Sequence, residues 1–285
     1  MERIKQALER AREERRRAEA SQSDILPTRG LGASPKTHPL TPTKQSITPC
    51  INYTQTRTIK VSAERLRESR VVAGIEGEVV ADAYKILRTR ILQRMRAKGW
   101  NSLAITSVEP NSGKTLTAVN LAISLARGVN QTVLLVDFDL RRPRVASYFT
   151  EEPLSGLSDY LLHGVPLAQI LFTPGIERLV VLPGNKPLTN SSEVLSSPTI
   201  VNLVQELKTR YASRLVLFDM PPSINTDDVL AFSPYIDAVL LVVEEGKTRR
   251  EDLRRVQELL QGVNFLGTVL NKSADPVSNY FSNYY

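Results

Sequence analysis

The sequence predicts an α/β fold, a doubly wound and mostly parallel sheet between two layers of helices, and three observations carry that expectation. Short β-branched and apolar runs alternate with stretches of helical composition along the second half of the chain. The runs are apolar at every position rather than every second one, the pattern of strands buried on both faces. The first strand-to-helix passage turns through Ser107-Val108-Glu109-Pro110-Asn111-Ser112-Gly113-Lys114-Thr115, and acidic residues close two later runs.

Composition sets outer limits. With 285 residues, 41% apolar and 24% charged, the chain has ordinary globular composition and enough apolar matter for a sizeable core. Cys50 is the only cysteine, so no intrachain disulfide is possible, and His38 and His163 stand too far apart for a zinc motif. Both facts fit a reducing cytoplasm. No run of eighteen apolar residues exists, so the chain is expected neither to span a membrane nor to be secreted. Of the formal charge of +7, residues 1–60 hold twelve Lys/Arg against six Asp/Glu, a net +6, which leaves +1 for residues 61–285. A basic leader suits nucleic acid, an anionic membrane surface, an acidic partner, or simple solvation.

Taken in order, residues 2–20 are rich in Glu, Arg and Ala, with Ile4, Leu8 and Ala11 at helical spacing, and predict a short solvated helix. Residues 21–60 scatter Pro27, Pro35, Pro39, Pro42 and Pro49 among Ser and Thr, with too little apolar surface to offset the entropy of ordering. They predict a flexible linker, and the domain is expected over 61–271. Helical spacing resumes over 80–92, with Val80, Tyr84, Leu87 and Ile91 on a core face and Asp82, Lys85 and Arg88 on another. Leu103-Ala104-Ile105 predicts the first strand and 116–122 the helix after the loop. Further strands are expected at 133–136, 179–182, 215–218, 239–243 and 266–270, with amphipathic helices at 200–211 and 250–261. Residues 272–285 form no element at either period and predict a flexible, tyrosine-containing tail.

The Gly113-Lys114-Thr115 triplet opens a helix. There the backbone N–H groups, the positive end of the helix dipole and one ammonium converge, and a threonine hydroxyl can ligate magnesium. The expected occupant is the phosphate chain of a nucleotide, held by Pro110, Asn111, Ser112, Gly113, Lys114, Thr115 and Leu116. The motif departs from G-x-x-x-x-G-K-[S/T], since Val108 holds the first glycine position and Asn111 a second frequent one. Asparagine tolerates left-handed backbone angles better than most residues. The fold expected with such a loop is the Rossmann-like, three-layer P-loop NTPase fold.

Two later strand ends carry acids, Val136-Asp137-Phe138-Asp139-Leu140-Arg141-Arg142-Pro143 and Phe218-Asp219-Met220-Pro221-Pro222. In a parallel sheet the C-terminal strand ends share an edge with the phosphate loop, so these acids can converge on bound phosphates. Magnesium needs hard oxygen ligands, which Thr115 and one or two of the carboxylates supply, leaving another acid free to act as base. A single aspartate after a strand is more often a cap or turn residue. Three beside Gly-Lys-Thr point to nucleotide chemistry.

Together, Ser107-x-x-Pro110-x-x-Gly113-Lys114-Thr115, Leu134-Leu135-Val136-Asp137-x-Asp139-x-Arg141-Arg142-Pro143 and Asp219-x-Pro221-Pro222 resemble the Walker A, A′ and B motifs of the bacterial tyrosine kinases, autokinases of exopolysaccharide synthesis and export. The resemblance covers roughly 78–285, and the charged leader is similar to that of kinases from exosortase-linked polysaccharide loci. It implies ATP and Mg²⁺, with Lys114 on the β- and γ-phosphates, Thr115, Asp139 and Asp219 serving the metal, and Asp137 as the base. Asn271 resembles the asparagine that reads adenine in related ATPases.

The same resemblance implies autophosphorylation on Tyr280, Tyr284 and Tyr285, and a ring-like homo-oligomer joined through the helix bearing Asp82, Lys85 and Arg88. It implies too a membrane activator of the chain-length-regulator type, an opposing tyrosine phosphatase, no nucleic-acid partner, and a cytoplasmic place at the inner face of the membrane. Asp82 and Lys85 stand where the family usually has Glu and Arg, and lysine cannot reproduce arginine's bidentate fork. The competing expectation is a partitioning or positioning ATPase without kinase activity. Its loop usually begins with a second lysine where this chain has Glu109.

Overall fold

Every run expected as a strand pairs into one sheet, and the register of that sheet sets the acids side by side. In the computed structural model the described residues are 56–75, 79–128, 131–211, 213–224 and 226–274, all within the unit Thr48–Tyr285. The expected leader helix, most of the linker, and Tyr280, Tyr284 and Tyr285 lie outside the described residues.

The first half runs β1 (Arg57–Thr58), α1 (Ala63–Glu68), α2 (Val79–Lys98), β2 (Ser102–Ser107), α3 (Lys114–Ala126) and β3 (Thr132–Asp137). Next come α4 (Leu157–His163), α5 (Leu167–Ile170), β4 (Phe172–Thr173), β5 (Leu179–Leu182), α6 (Ser191–Leu195) and α7 (Pro198–Thr209). The chain then passes through β6 (Arg214–Asp219), α8 (Asp228–Phe232), β7 (Ala238–Glu244), α9 (Arg250–Leu259) and β8 (Phe265–Asn271). The eight strands lie in the order β1-β4-β5-β3-β6-β2-β7-β8. All neighbouring pairs are parallel except β4 with β5.

Alternation along each strand divides the core in two. Leu103, Ile105, Val133 and Leu135 pack on the face covered by α2 and α3, through Ile91, Met95, Leu121 and Leu125. Ala104, Leu134 and Val136 pack on the opposite face, covered by α7 to α9 through Leu203, Leu207, Phe232 and Val256. A sheet buried on both faces between helical layers is the three-layer architecture expected from the uninterrupted apolar runs.

Two findings correct the expectation. The sheet begins at Arg57, ahead of the boundary set at 61, because β1 pairs with β4. These two-residue strands are too short to register as a periodic pattern. Val80, assigned to the core face, is 44% exposed. The apolar stripe of α2 starts one turn later and is carried by Tyr84, Leu87, Ile91 and Met95.

The acid-bearing strand ends are anchored from beneath. Phe138, Phe218 and Phe232 meet with ring centroids 5.0, 4.9 and 5.1 Å apart, two of the three contacts edge-on. Such pairs add about 0.5–1.5 kcal/mol each beyond their buried area. Since Phe138 lies between Asp137 and Asp139 and Phe218 precedes Asp219, the cluster fixes the backbone from which all three acids project.

Candidate active site

The register pairs Asp137 with Asp219, and Asp219 with Ile105 of the strand that leads into the phosphate loop. All three strand ends thus reach one edge.

The loop itself is held by backbone angles and short hydrogen bonds. Asn111 adopts φ 63° and Gly113 φ 89°, both left-handed. Asparagine at 111 therefore meets the conformational demand that glycine usually meets. The hydroxyls of Ser107 and Ser112 both donate to the Glu109 carbonyl, at 2.7 and 3.0 Å. Gly113 is required twice over, by its φ and because a Cβ there would lie 2.2 Å from Nδ2 of Asn271. Asn271 Nδ2 donates to the Ser112 carbonyl at 2.9 Å. Lys272 Nζ donates to the Asn111 carbonyl at 2.8 Å and pairs with Glu244 at 3.0 Å. The end of β8 braces the loop.

Inside the loop lies a charge cluster. Lys114 Nζ is 2.7 Å from Asp139 Oδ2, 3.6 Å from Asp219 Oδ2, and donates to Thr115 Oγ1 at 3.2 Å. The Thr115 hydroxyl donates to Asp219 Oδ2 at 2.7 Å. Asp139 Oδ1 accepts the Arg142 N–H at 3.0 Å, and Asp137 Oδ2 accepts the Val145 N–H at 2.9 Å. Asp137 Oδ1 and Asp219 Oδ1 are buried and without a hydrogen-bond partner among the described residues.

Burial and crowding shape the protonation. Burial alone would lower the Lys114 pKa, but the Asp219 and Asp139 charges outweigh it and raise it. Burial first, and then the charge of Asp219, push Asp137 well above the ordinary carboxylate range. Burial also raises Asp219 to about 6, against the opposing pull of Lys114 and Thr115. Perturbed acids around one lysine at a strand edge mark a site built for charge.

A cleft of about 420 Å³ opens over this cluster, lined by Pro110, Asn111, Gly113, Lys114, Thr115 and Leu116 on one wall. Asp139, Arg141, Arg142, Arg144, Tyr148, Pro221, Pro222 and Thr226 complete it. Sequence reasoning missed Arg144, Tyr148 and Lys272, which no spacing rule ties to the loop. Burial, followed by the Asp219 charge, raises the Tyr148 pKa.

The donor set suits nucleotide and magnesium. Two orphaned carboxylate oxygens lie beside a helix N-terminus whose glycine leaves no side chain in the way. No group of three His, Cys, Asp or Glu side chains among the described residues has metal-ligand spacing by itself. Magnesium commonly takes one or two carboxylates and completes its shell with water and phosphate oxygens, so Thr115 with Asp139 and Asp219 is a sufficient protein contribution.

The expected subunit-contact residues lie away from the cleft on α2. Lys85 pairs with Asp82 at 2.7 Å, both side chains 54% exposed, whereas the Arg88 guanidinium turns inward to the Ser124 carbonyl of α3 at 2.9 Å.

Comparison with known proteins agrees with this geometry. Residues 102–273 match the family described as AAA domain. The tyrosine-protein kinase YwqD of Bacillus subtilis is 32% identical over 193 residues, 67% of this chain and 80% of that protein. The succinoglycan biosynthesis transport protein ExoP of Rhizobium meliloti is 29% identical over 73% of this chain but only 27% of its own length. The kinase domain of the Escherichia coli tyrosine kinase ETK superposes with a TM-score of 0.65 at 27% identity, covering 77% of this chain and 91% of that domain. The phosphate loop and the three aspartates at the ends of β3 and β6 fall within the matched residues, and the chain belongs to the AAA-domain family and to the bacterial protein-tyrosine kinases.

Proposed function

We propose that this kinase transfers the γ-phosphoryl group of ATP to the chain's own terminal tyrosines, Tyr280, Tyr284 and Tyr285, between subunits of a ring, within exopolysaccharide synthesis and export. The loop N–H groups and Lys114 bind the β- and γ-phosphates, exchanging the ammonium's contact with Asp139 for contact with phosphate. As the phenolic oxygen bonds to the γ-phosphorus, the bond to the β,γ-bridging oxygen breaks and ADP leaves. The phenolic proton passes to Asp137. Magnesium, held by Thr115, Asp139 and Asp219, supplies charge neutralisation on the phosphate oxygens.

Asp137 carries this reading. An ordinary carboxylate, with a pKa of about 4 against about 10 for a phenol, is a weak base for tyrosine. Here one oxygen is pinned by the Val145 N–H, the other is unpartnered, and burial makes the carboxylate more basic. That narrows the gap to the phenol.

Residues 57–271 serve as the kinase domain, 272–285 as the acceptor tail and 1–56 as a docking arm. The arm binds a membrane activator of the chain-length-regulator type, and a tyrosine phosphatase reverses the reaction. In ExoP the part that resembles this chain is a minor share of a longer protein, which supports a division of labour with a separate membrane component. No described helix is long and apolar enough to cross a membrane. The kinase is held at the inner face of the membrane by its partner and needs no nucleic acid.

The decisive measurement is where the γ-phosphate of labelled ATP goes. Label on protein tyrosine supports the kinase reading. Label released only as inorganic phosphate defeats it and favours a positioning ATPase.

A further inference from the structure

Arg141, Arg142 and Arg144 follow Asp139 and line the mouth of the cleft, yet Lys114, the loop and the three acids complete the transfer chemistry without them. Arg141 is anchored from below. Its Nε donates to Asp228 Oδ2 at 3.0 Å, and the Asp228 carboxylate is 0% exposed while the Arg141 side chain is 42% exposed. Asp228 Oδ1 has no partner among the described residues, so this buried carboxylate is committed to Arg141 alone. Binding through Nε leaves both terminal nitrogens of the guanidinium for a ligand. Arg142 and Arg144 are exposed, and their guanidinium groups make no ion pair or hydrogen bond among the described residues.

Three permanent positive charges therefore stand at the rim, above the buried Asp137, Asp139 and Asp219. The reaction creates the anion that fits this arrangement. Tyr284 and Tyr285 are adjacent and Tyr280 lies four residues earlier, so a segment modified once carries nearly two negative charges beside its next acceptor. Against the buried acids alone, that segment would be repelled. Arginine's planar fork matches phosphate oxygens, and an exposed rim can bind them without burying a charge.

We propose that Arg141, Arg142 and Arg144 form a phosphotyrosine receptor that retains a singly phosphorylated acceptor segment while its next tyrosine is modified, with Asp228 as the positioning residue that aims Arg141. This rests on the reading of the terminal tyrosines as acceptors.

The test uses full-length protein with ADP and the peptide Ser-Asn-Tyr-Phe-Ser-Asn-Tyr-Tyr, matching residues 278–285, with and without phosphate on its last tyrosine. Anisotropy should show the phosphorylated peptide binding about ten-fold tighter, as expected of charge-assisted contacts at an exposed rim. In Arg142→Ala/Arg144→Ala, and separately in Asp228→Asn, the ratio should fall to within about two-fold. Equal affinities in the unaltered protein, or a ratio that survives in both variants, overturns the proposal. So does a loss of ATP affinity with the ratio intact, which would assign the arginines to the nucleotide. The arginine pair is exposed, so its variant keeps the test valid if Asp228→Asn fails to fold. Label transferred from ATP to the unphosphorylated peptide reports on the acceptor reading separately: a protein that labels none of it, yet binds the phosphorylated form selectively, retains the receptor and loses the acceptor assignment.

Discussion

Lys114 Nζ and Asp139 Oδ2 lie 2.7 Å apart, with side chains only 9% and 7% exposed, so the lysine proposed to meet phosphate is held in a nearly dry ion pair. On that proposal, nucleotide binding breaks the pair. Replacing Lys114 by Met should abolish tyrosine phosphorylation and also strand Asp139 and Asp219 without their cation. Breaking a buried pair by removing one partner costs about 3–5 kcal/mol. Thermal unfolding of the nucleotide-free variant should fall accordingly, and an unchanged midpoint would mean that the carboxylates neutralise themselves by taking up protons.

Asp137→Asn should separate chemistry from binding. Asparagine keeps the acceptor for the Val145 N–H but cannot take a proton, so phosphotyrosine should disappear while ATP affinity persists. Because burial and Asp219 already disfavour the Asp137 charge, the variant should be more stable than the parent by about 1 kcal/mol. Full activity on an anti-phosphotyrosine blot would sink the assignment of Asp137 as base.

Asp219 gives the pH dependence its sign. Its pKa rises from 3.8 to about 6 on folding, mainly through burial, so the folded form holds its proton more tightly than the unfolded chain. Stability of the metal- and nucleotide-free protein should be greatest below about pH 4 with respect to this group and be lost as pH rises through about 6. Asp137 shifts in the same direction and reinforces the trend. Chemical denaturation across this window, compared with Asp219→Asn, should show a flatter profile in the variant.

The close approach of Gly113 and Asn271 predicts a coupled pair. Gly113→Ala adds a Cβ at 2.2 Å from Nδ2 of Asn271 and forces alanine into φ 89°, a backbone cost of about 1–2 kcal/mol before any clash. ATP affinity should collapse. Asn271→Ala removes the obstacle but not the strain, so the double variant should be more stable than the sum of the two single losses implies. Strict additivity in urea unfolding would show that the two side chains do not compete for this space.

What the sequence made legible were features written in consecutive residues. The loop, the two acid-bearing strand ends and the uninterrupted apolar runs each declare themselves within a few positions, and parallel topology then brings them to one edge. What escaped depends on distant segments. β1 exists only because Arg57 and Thr58 find Phe172 and Thr173, and β4 is held between β1 and Val181 of β5. Lys272 reaches the loop only through β8, and Asp228 meets Arg141 across 87 positions. Val80 shows the limit of periodicity: the spacing located the apolar face of α2 but not the turn at which the core begins. The inward turn of Arg88 to Ser124 is equally invisible to spacing, which would set it with Asp82 and Lys85.

Transfer between subunits is the last expectation, and the sheet now gives it a starting point. β8 is parallel to β7, and Asn271 at its end touches the Ser112 carbonyl, so the tail departs beside the phosphate loop. The fourteen residues from 272 to 285 span at most about 50 Å when extended, against about 45 Å for the diameter of a domain this size. The tail can therefore reach its own cleft or a neighbour's. On α2, Asp82 and Lys85 form an exposed pair worth at most about 0.5 kcal/mol to the monomer, so they are available to a partner at little cost, whereas Arg88 is engaged inside the chain. Asp82→Ala/Lys85→Ala should weaken self-association in sedimentation without moving the unfolding midpoint, and transfer should weaken with it. Mixing inactive Lys114→Met protein that retains its tail with active protein truncated after residue 275 isolates the route. Phosphotyrosine on the inactive chain, lost when the active partner also carries the two α2 substitutions, is the expected result. No label on that chain, under conditions where intact protein labels itself, would place the reaction within a single subunit.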